Sequence, residues 1–281
     1  MLRKEFSLPW LVVLSLLAAV PARGEVVLQG EIKQGGLVQG RSEPGTRVSL
    51  DGKAVRMSEY GEFLIGFGRD HGPDSTLTLE YPDGQREERQ LAVAARQYDI
   101  QRIDGLPPGK VTPKKEEDLK RIRRDIARVK AARKLDDPRT DFLSGWIWPS
   151  EGRISGVYGS QRVLNGEPRR PHFGVDIAAP VGTPVRAPAD GLVTLAHPDM
   201  FYSGGTLIID HGHNLTSSFL HLHRLLVQEG ARVRKGDVVA EIGKTGRVTG
   251  AHLDWRMNLG KARLDPQLLV PAMKRPATEG G

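Results

Sequence analysis

Hydrophobic and polar positions alternate in short runs along most of the chain, and glycine or proline interrupts nearly every run. A period of two predicts strands, and the interruptions predict tight turns between them. Between Val26 and Val93, Arg47 to Val55 reads as a hairpin with Asp51-Gly52 at its turn. Phe63 to Phe67 and Leu77 to Tyr81 read as strands, with Pro82-Asp83-Gly84 as a further turn. The period then changes. Leu119, Ile122, Ile126 and Val129 recur at helical spacing, so a helix is expected from Thr112-Pro113 to Asp136-Asp137-Pro138. Thr112 would be its N-cap, and Glu116, Glu117 and Asp118 suit its positive end. Alternation resumes afterwards. Strands are predicted at Pro184 to Arg186, Gly191 to Ala196, Gly205 to Asp210, Thr216 to Leu222, Val238 to Ile242 and His252 to Asn258, with no long helix among them.

The fold class is therefore mainly β: a small N-terminal β-sandwich, a connecting α-helix and a C-terminal antiparallel sheet. The sandwich is similar to the immunoglobulin-like modules of exported bacterial proteins, and nothing in it points to chemistry. The helix carries Arg121, Arg123, Arg124, Arg128 and Lys130 around its apolar stripe. It is expected to lay that stripe on a neighbouring element; anionic wall polymer or a partner protein is the other contact its charge allows.

The N-terminus changes the picture of charge. Arg3 and Lys4 precede an apolar run from Leu8 to Val20, broken by Pro9 and Ser15, and Val20-Pro21-Ala22 follows. This is the pattern of a secretory signal over residues 1–24, too short to span a bilayer comfortably; an uncleaved anchor is the other reading. Export places the protein in the periplasm or cell envelope. Its net charge of +7 then meets the anionic envelope rather than nucleic acid. No later segment is apolar enough to cross a membrane. With no cysteine, disulfides and thiolate metal sites are excluded, and any metal must be held by His, Asp or Glu. The expected segments are a signal at 1–24, a sandwich at 25–97, a basic helical linker at 98–145, the chemistry-bearing domain at 146–272 and a flexible tail at 273–281.

Seven of the eight histidines fall between His172 and His252. His172 and Asp176 stand four apart and can meet on one cation if the chain bends, which Gly174 permits. In Phe219-Leu220-His221-Leu222-His223, alternation would put both imidazoles on one strand face. His252 and Asp254 should likewise share a face. A catalytic metal with one open position needs three protein ligands, and His172, Asp176 and Asp254 would supply them. His221 and His252 remain for proton transfer and oxyanion stabilisation. His223 is the alternative third ligand, while His197, His211 and His213 are left outside the site.

These motifs resemble the lysostaphin-like (LytM-type) zinc metallopeptidases. His172 and Asp176 match the family's His-x-x-x-Asp motif, and Phe219-Leu220-His221-Leu222 matches its Tyr-x-His-Leu strand with Phe for Tyr. Thr249-Gly250-Ala251-His252-Leu253-Asp254 matches Thr-Gly-x-His-Leu-His except at its last residue. Gly182-Thr183-Pro184-Val185, Asp190-Gly191 and Asp210-His211-Gly212 fall in the same order. The resemblance covers roughly 146–270. It implies Zn2+ held by His172 and Asp176, flanking roles for His221 and His252, and peptidoglycan peptides as substrate. Where the family usually has a third ligating His, this chain has Asp254. Some relatives that lost zinc ligands activate separate cell-wall enzymes, so an amidase activator is the alternative to an endopeptidase. The Val233 to Gly243 run also resembles the hammerhead of biotinyl or lipoyl carriers, but no lysine stands in the required hairpin setting.

Overall fold

The computed structural model describes residues 26–103, 115–164 and 166–273. The expected signal at 1–24, the Thr112-Pro113 helix start and the tail from 274 onward lie outside the described residues.

Seven strands build the N-terminal module: β1 (Val27–Gly30), β2 (Leu37–Arg41), β3 (Arg47–Leu50), β4 (Lys53–Val55), β5 (Glu62–Gly66), β6 (Asp74–Glu80) and β7 (Arg86–Ala92). They form two antiparallel sheets, ordered β1-β2-β5 and β4-β3-β6-β7. The sheets close on Val38, Phe63, Ile65, Leu77 and Leu79, all buried. The turn joining β3 and β4 has Asp51 at φ 50° and Gly52 at φ 72°. Two left-handed residues give a turn whose twist matches the strands, which is why Asp-Gly occupies it.

The segment after the sandwich is more structured than a linker. β8 (Ile100–Ile103) pairs in parallel with β10 (Gln161–Leu164), and β10 pairs with β11 (Glu167–Pro168). Helix α1 spans Glu116–Ala132, preceded by Lys115 with no side-chain cap. The expected seating of its apolar stripe is only partly realised. Val129 and Ala132 pack with Leu195, Met200 and Ile208. Ile126 instead stays 61% exposed, and with Ile122 it lines an open groove. Polar contacts fasten the helix along one flank: Arg121 pairs with Asp199 at 2.7 Å, and the Phe201 amide donates to Asp125 at 2.8 Å.

The remaining strands are β9 (Arg153–Gly156), β12 (Val175–Ala178), β13 (Pro184–Arg186), β14 (Gly191–Met200), β15 (Gly204–Asp210), β16 (Leu215–Leu225), β17 (Arg232–Val233), β18 (Val238–Ile242), β19 (His252–Leu259) and β20 (Ala262–Leu264). They make one antiparallel sheet with the path β17-β14-β15-β16-β19-β12-β9; β18 pairs with β16 and β13, and β20 with β19. β13 and β18 have the bounds expected from alternation, and β14, β15, β16 and β19 contain the expected runs. One face of the sheet buries Val175, Ile177, Leu207, Phe219, Leu253 and Trp255. Leu37 and Leu64 of the sandwich join the same core. Arg96 reaches the buried Asp265 at 2.8 Å, which ties the two regions together. The opposite face of β16 and β19 is polar, with Thr216, Ser218, Asp254 and Asn258 buried there.

Candidate metal centre

The site is assembled by strand register. Asp176 on β12 lies directly opposite Asp254 on β19, and Gly156 on β9 lies on the other side of Asp176. Two carboxylates opposed across an antiparallel pair repel unless cations sit between or beside them. His172 precedes β12 and is clamped by its backbone: its amide donates to Ser160 O at 2.8 Å, and its carbonyl accepts from Gly159 N at 2.8 Å. One ligand atom each from His172, Asp176 and Asp254 lies within 4.8 Å of the others. Glycines make this approach feasible. A Cβ on Gly156 would stand 2.3 Å from Asp176 Oδ2, and one on Gly174 would stand 2.6 Å from Asp254 Oδ1. The bend expected at Gly174 is thus a close approach to β19; Gly174 is not among the glycines with positive φ.

The donor set fits a divalent cation. His172 Nε2 and Asp176 Oδ1 face each other at 3.2 Å. Both atoms are buried, and apart from each other neither has a hydrogen-bond partner. Buried polar atoms rarely stay unpaired, and two lone-pair donors aimed at one point are what a shared cation requires. Burial alone would lower the His172 pKa, but the carboxylates of Asp176 and Asp254 outweigh it and raise it.

Asp254 carries a further partner. Arg256, two residues along β19, donates Nε to Oδ1 at 2.9 Å and to Oδ2 at 3.1 Å, and Nη2 to Oδ2 at 2.5 Å. Burial opposes ionisation of Asp254, yet the guanidinium holds its pKa below the usual carboxylate value. Each carboxylate oxygen has two acceptor sites, so capacity remains for a metal. With Arg256 counted, the excess negative charge of two carboxylates is reduced by one. Sequence reading missed Arg256, although the alternation His252, Asp254, Arg256, Asn258 on β19 already placed it on the same face.

His221 and His252 meet beside the carboxylates, their ring centroids 4.9 Å apart. His252 Nε2 lies 3.9 Å from Asp176 Oδ1. In each ring the other nitrogen faces a backbone carbonyl: His221 Nδ1 to Thr245 O at 2.9 Å and His252 Nδ1 to Gly250 O at 3.0 Å. A carbonyl accepts only, so Nδ1 carries the proton and Nε2 is the free basic nitrogen. Burial pushes the His221 pKa down, which favours the neutral base.

The expected pairing of His221 with His223 on one face fails. His221 has φ 67°, and the β16 register shifts between Leu222 and Arg224. A positive φ is costly for a residue other than glycine and breaks the alternation of faces. His221 is buried as a result, His223 is exposed, and His223 is not part of the convergent group. His211 is enclosed by Asp190 O at 2.6 Å and Ser217 Oγ at 2.7 Å. His197 lies within β14, against Arg128 of α1.

An antiparallel sheet that gathers one imidazole, two carboxylates and two further imidazoles beside an open groove has the parts of a metallohydrolase. Residues 170–266 match the model of Peptidase family M23, and the chain therefore carries a domain of that family. Over 111 residues it is 39% identical to the peptidoglycan DD-endopeptidase ShyA of Vibrio cholerae, covering 38% of this chain and 25% of ShyA. Over 104 residues it is 38% identical to the lipoprotein NlpD/LppB homolog of Pseudomonas aeruginosa, covering 37% of this chain and 33% of that protein. A crystal structure of a peptidase M23 from Pseudomonas aeruginosa superposes with a TM-score of 0.65 at 29% identity, covering 85% of this chain and 95% of that one. That last likeness extends well beyond the catalytic-type domain. The curated relatives are matched over a third of their length or less.

Proposed function

We propose that this chain is a zinc-dependent endopeptidase acting on the peptide stems or cross-links of peptidoglycan, exported to the periplasm or cell envelope. The observation that carries the reading is the convergence of His172, Asp176 and Asp254, with two buried donor atoms lacking any other partner. The relative named as a peptidoglycan DD-endopeptidase supports the substrate class. Among the described residues, no helix is long and apolar enough to cross a membrane.

A zinc ion held by these three residues would supply Lewis acidity and acidify a water for attack on the peptide carbonyl. The chain's own contribution is orientation and proton movement. His221 Nε2 and His252 Nε2 flank the place where that carbonyl must lie. One would take the proton from the attacking water at its free Nε2, and the other, in its doubly protonated form, would donate from Nε2 to the developing oxyanion. The groove is open along the sheet, as a polymeric substrate needs.

A second reading is a regulator that binds and activates a separate cell-wall amidase. Asp254, tied to Arg256 in place of the customary imidazole, favours it, as does the similarity to an NlpD homolog. Incubating purified full-length protein with intact sacculi, with and without chelator, decides the matter. Mass spectrometry of released muropeptides should show cleaved peptide bonds that disappear on chelation. Undigested sacculi, together with stimulation of an added amidase, would establish the regulator instead.

A further inference from the structure

The groove beside the metal centre has a volume of about 1970 Å³ and is unevenly charged. Seven arginines line it, and four of them lie close enough to act on one another: Arg133 from the C-terminal end of α1, Arg170 before β12, Arg256 on β19 and Arg263 on β20. Arg256 is satisfied by Asp254. Among the described residues, the other three have no ion-pair partner.

Their arrangement is built rather than incidental. Arg133 donates Nη2 to Ser218 Oγ at 2.8 Å, and Ser218 is the cross-strand neighbour of Arg256. The Nε of Arg133 is buried with no acceptor. The guanidinium groups of Arg170 and Arg263 both lie over the Phe173 ring, 5.7 and 4.4 Å from its centroid. An aromatic face steadies a cation without neutralising it. Burial, and then the neighbouring guanidiniums, lower Arg133 and Arg263 to about 10. Two acids on the same groove are committed elsewhere, Asp136 to Arg56 and Asp125 to the Phe201 amide; Asp176 belongs to the metal centre, and Asp99 also lines the groove.

We propose that Arg133, Arg170 and Arg263 form a carboxylate-binding subsite that holds a free carboxylate of the substrate peptide next to the scissile bond. The inference rests on the peptidase reading for the identity of the peptide. It goes further by making negative charge a requirement: a neutral glycyl bridge would leave three clustered cations unpaired, whereas a stem carrying free carboxylates would satisfy them. Guanidinium is suited to this, since its fork matches a carboxylate in two parallel hydrogen bonds. It also gives α1 a role, because only the helix delivers Arg133 to the sheet.

The test is a binding titration of the full chain with a soluble cross-linked muropeptide and with the same muropeptide after its carboxyls are converted to amides. Metal-free protein is used, so that binding is read without hydrolysis. Wild type should prefer the free carboxylates by about tenfold to a hundredfold, the range for charge-assisted hydrogen bonds. Arg170→Gln and Arg263→Gln should each erase much of that preference, weakening binding of the free-carboxylate peptide well beyond any loss for the amidated one. R170K and R263K should restore part of it. These two positions are used because Arg133→Gln removes a helix-anchoring contact; melting temperatures confirm that the variants fold. Equal affinity for both peptides, or variants that keep the preference, overturns the proposal. So does displacement of both peptides alike by low-millimolar inorganic phosphate, which would mark a general anion site. Carboxylate-dependent binding in a chain that releases no muropeptides from sacculi would sustain this subsite and remove the peptidase reading. Cleavage of free and amidated peptides with equal KM would do the reverse.

Discussion

In β6 of the N-terminal sandwich, buried and less buried positions alternate strictly after Asp74: Ser75, Leu77 and Leu79 point inward, and Thr76, Thr78 and Glu80 point outward. In β15 every residue is buried, and in β16 the first five are, Thr216 and Ser218 included. Both regions are antiparallel sheet. The difference lies in what covers the second face. In the sandwich, the polar side of β6 meets water. In the C-terminal sheet, that side is walled by α1 and by the site itself, so its polar groups need specific partners. Ser218 accepts from Arg133, and Asp254 accepts from Arg256. Burying polar groups without partners costs free energy. A sheet that nevertheless buries them on one face is keeping that face for chemistry.

The comparison breaks most sharply if substitutions in the two regions have interchangeable effects. His172→Ala should abolish zinc retention and lower sacculus cleavage by on the order of 10³-fold, while leaving the melting temperature of the metal-free chain near wild type. Phe63→Ala, fully buried in the sandwich core, should do the opposite. It should cost about 3–5 kcal/mol of stability, measured by denaturant titration, and leave zinc stoichiometry unchanged.

Acid should act on the C-terminal sheet first. His211 is fully enclosed, and burial, partly offset by its bond to the Asp190 carbonyl, lowers its pKa to about 4. The unfolded chain takes up that proton near 6.5, so the unfolded state binds more protons between these values. Stability should therefore fall as pH drops from about 6.5 to about 4, by about 3 kcal/mol in total. His211→Phe should flatten that part of the stability–pH curve, whatever its effect at neutral pH.

Paired glycine substitutions give smaller effects. A Cβ on Gly40 would press into the Phe63 ring at 2.1 Å, and one on Gly156 would press on Asp176 Oδ2 at 2.3 Å. Gly40→Ala should cost about 1–3 kcal/mol of stability through overpacking. Gly156→Ala should weaken zinc affinity about tenfold to a hundredfold, as displaced ligand supports do, with little change in melting. Smallest of all, Arg47→Ala removes an exposed pair with Glu80, whose Nη2 to Oε2 distance is 2.9 Å. It should change stability by less than about 1 kcal/mol.

Much of this architecture was legible in the sequence, because period-two alternation and glycine spacing are local signals. They located β13, β18 and β19, the β3–β4 hairpin turn and the body of α1. The candidate site was legible because three short motifs occur in the resembled family's order, and the sheet brings His172, Asp176 and Asp254 together. What was not legible depends on tertiary placement. β12 is only four residues long, and its partner on β19 begins 74 positions after its own last residue, Ala178. The positive φ of His221 overrides the alternation that paired it with His223. Nothing local reveals that Arg133, at the end of a helix that reads as a connector, reaches Ser218 on a strand 85 residues later. The parallel pairing of β8 with β10 is equally nonlocal.

The most direct measurement is an anomalous difference map at the zinc absorption edge, from crystals of the full-length protein grown with zinc. A single peak enclosed by His172, Asp176 and Asp254, with Arg256 still bonded to Asp254, is the predicted result. A peak coordinated through His223, or density at the site with no anomalous signal, would contradict the account.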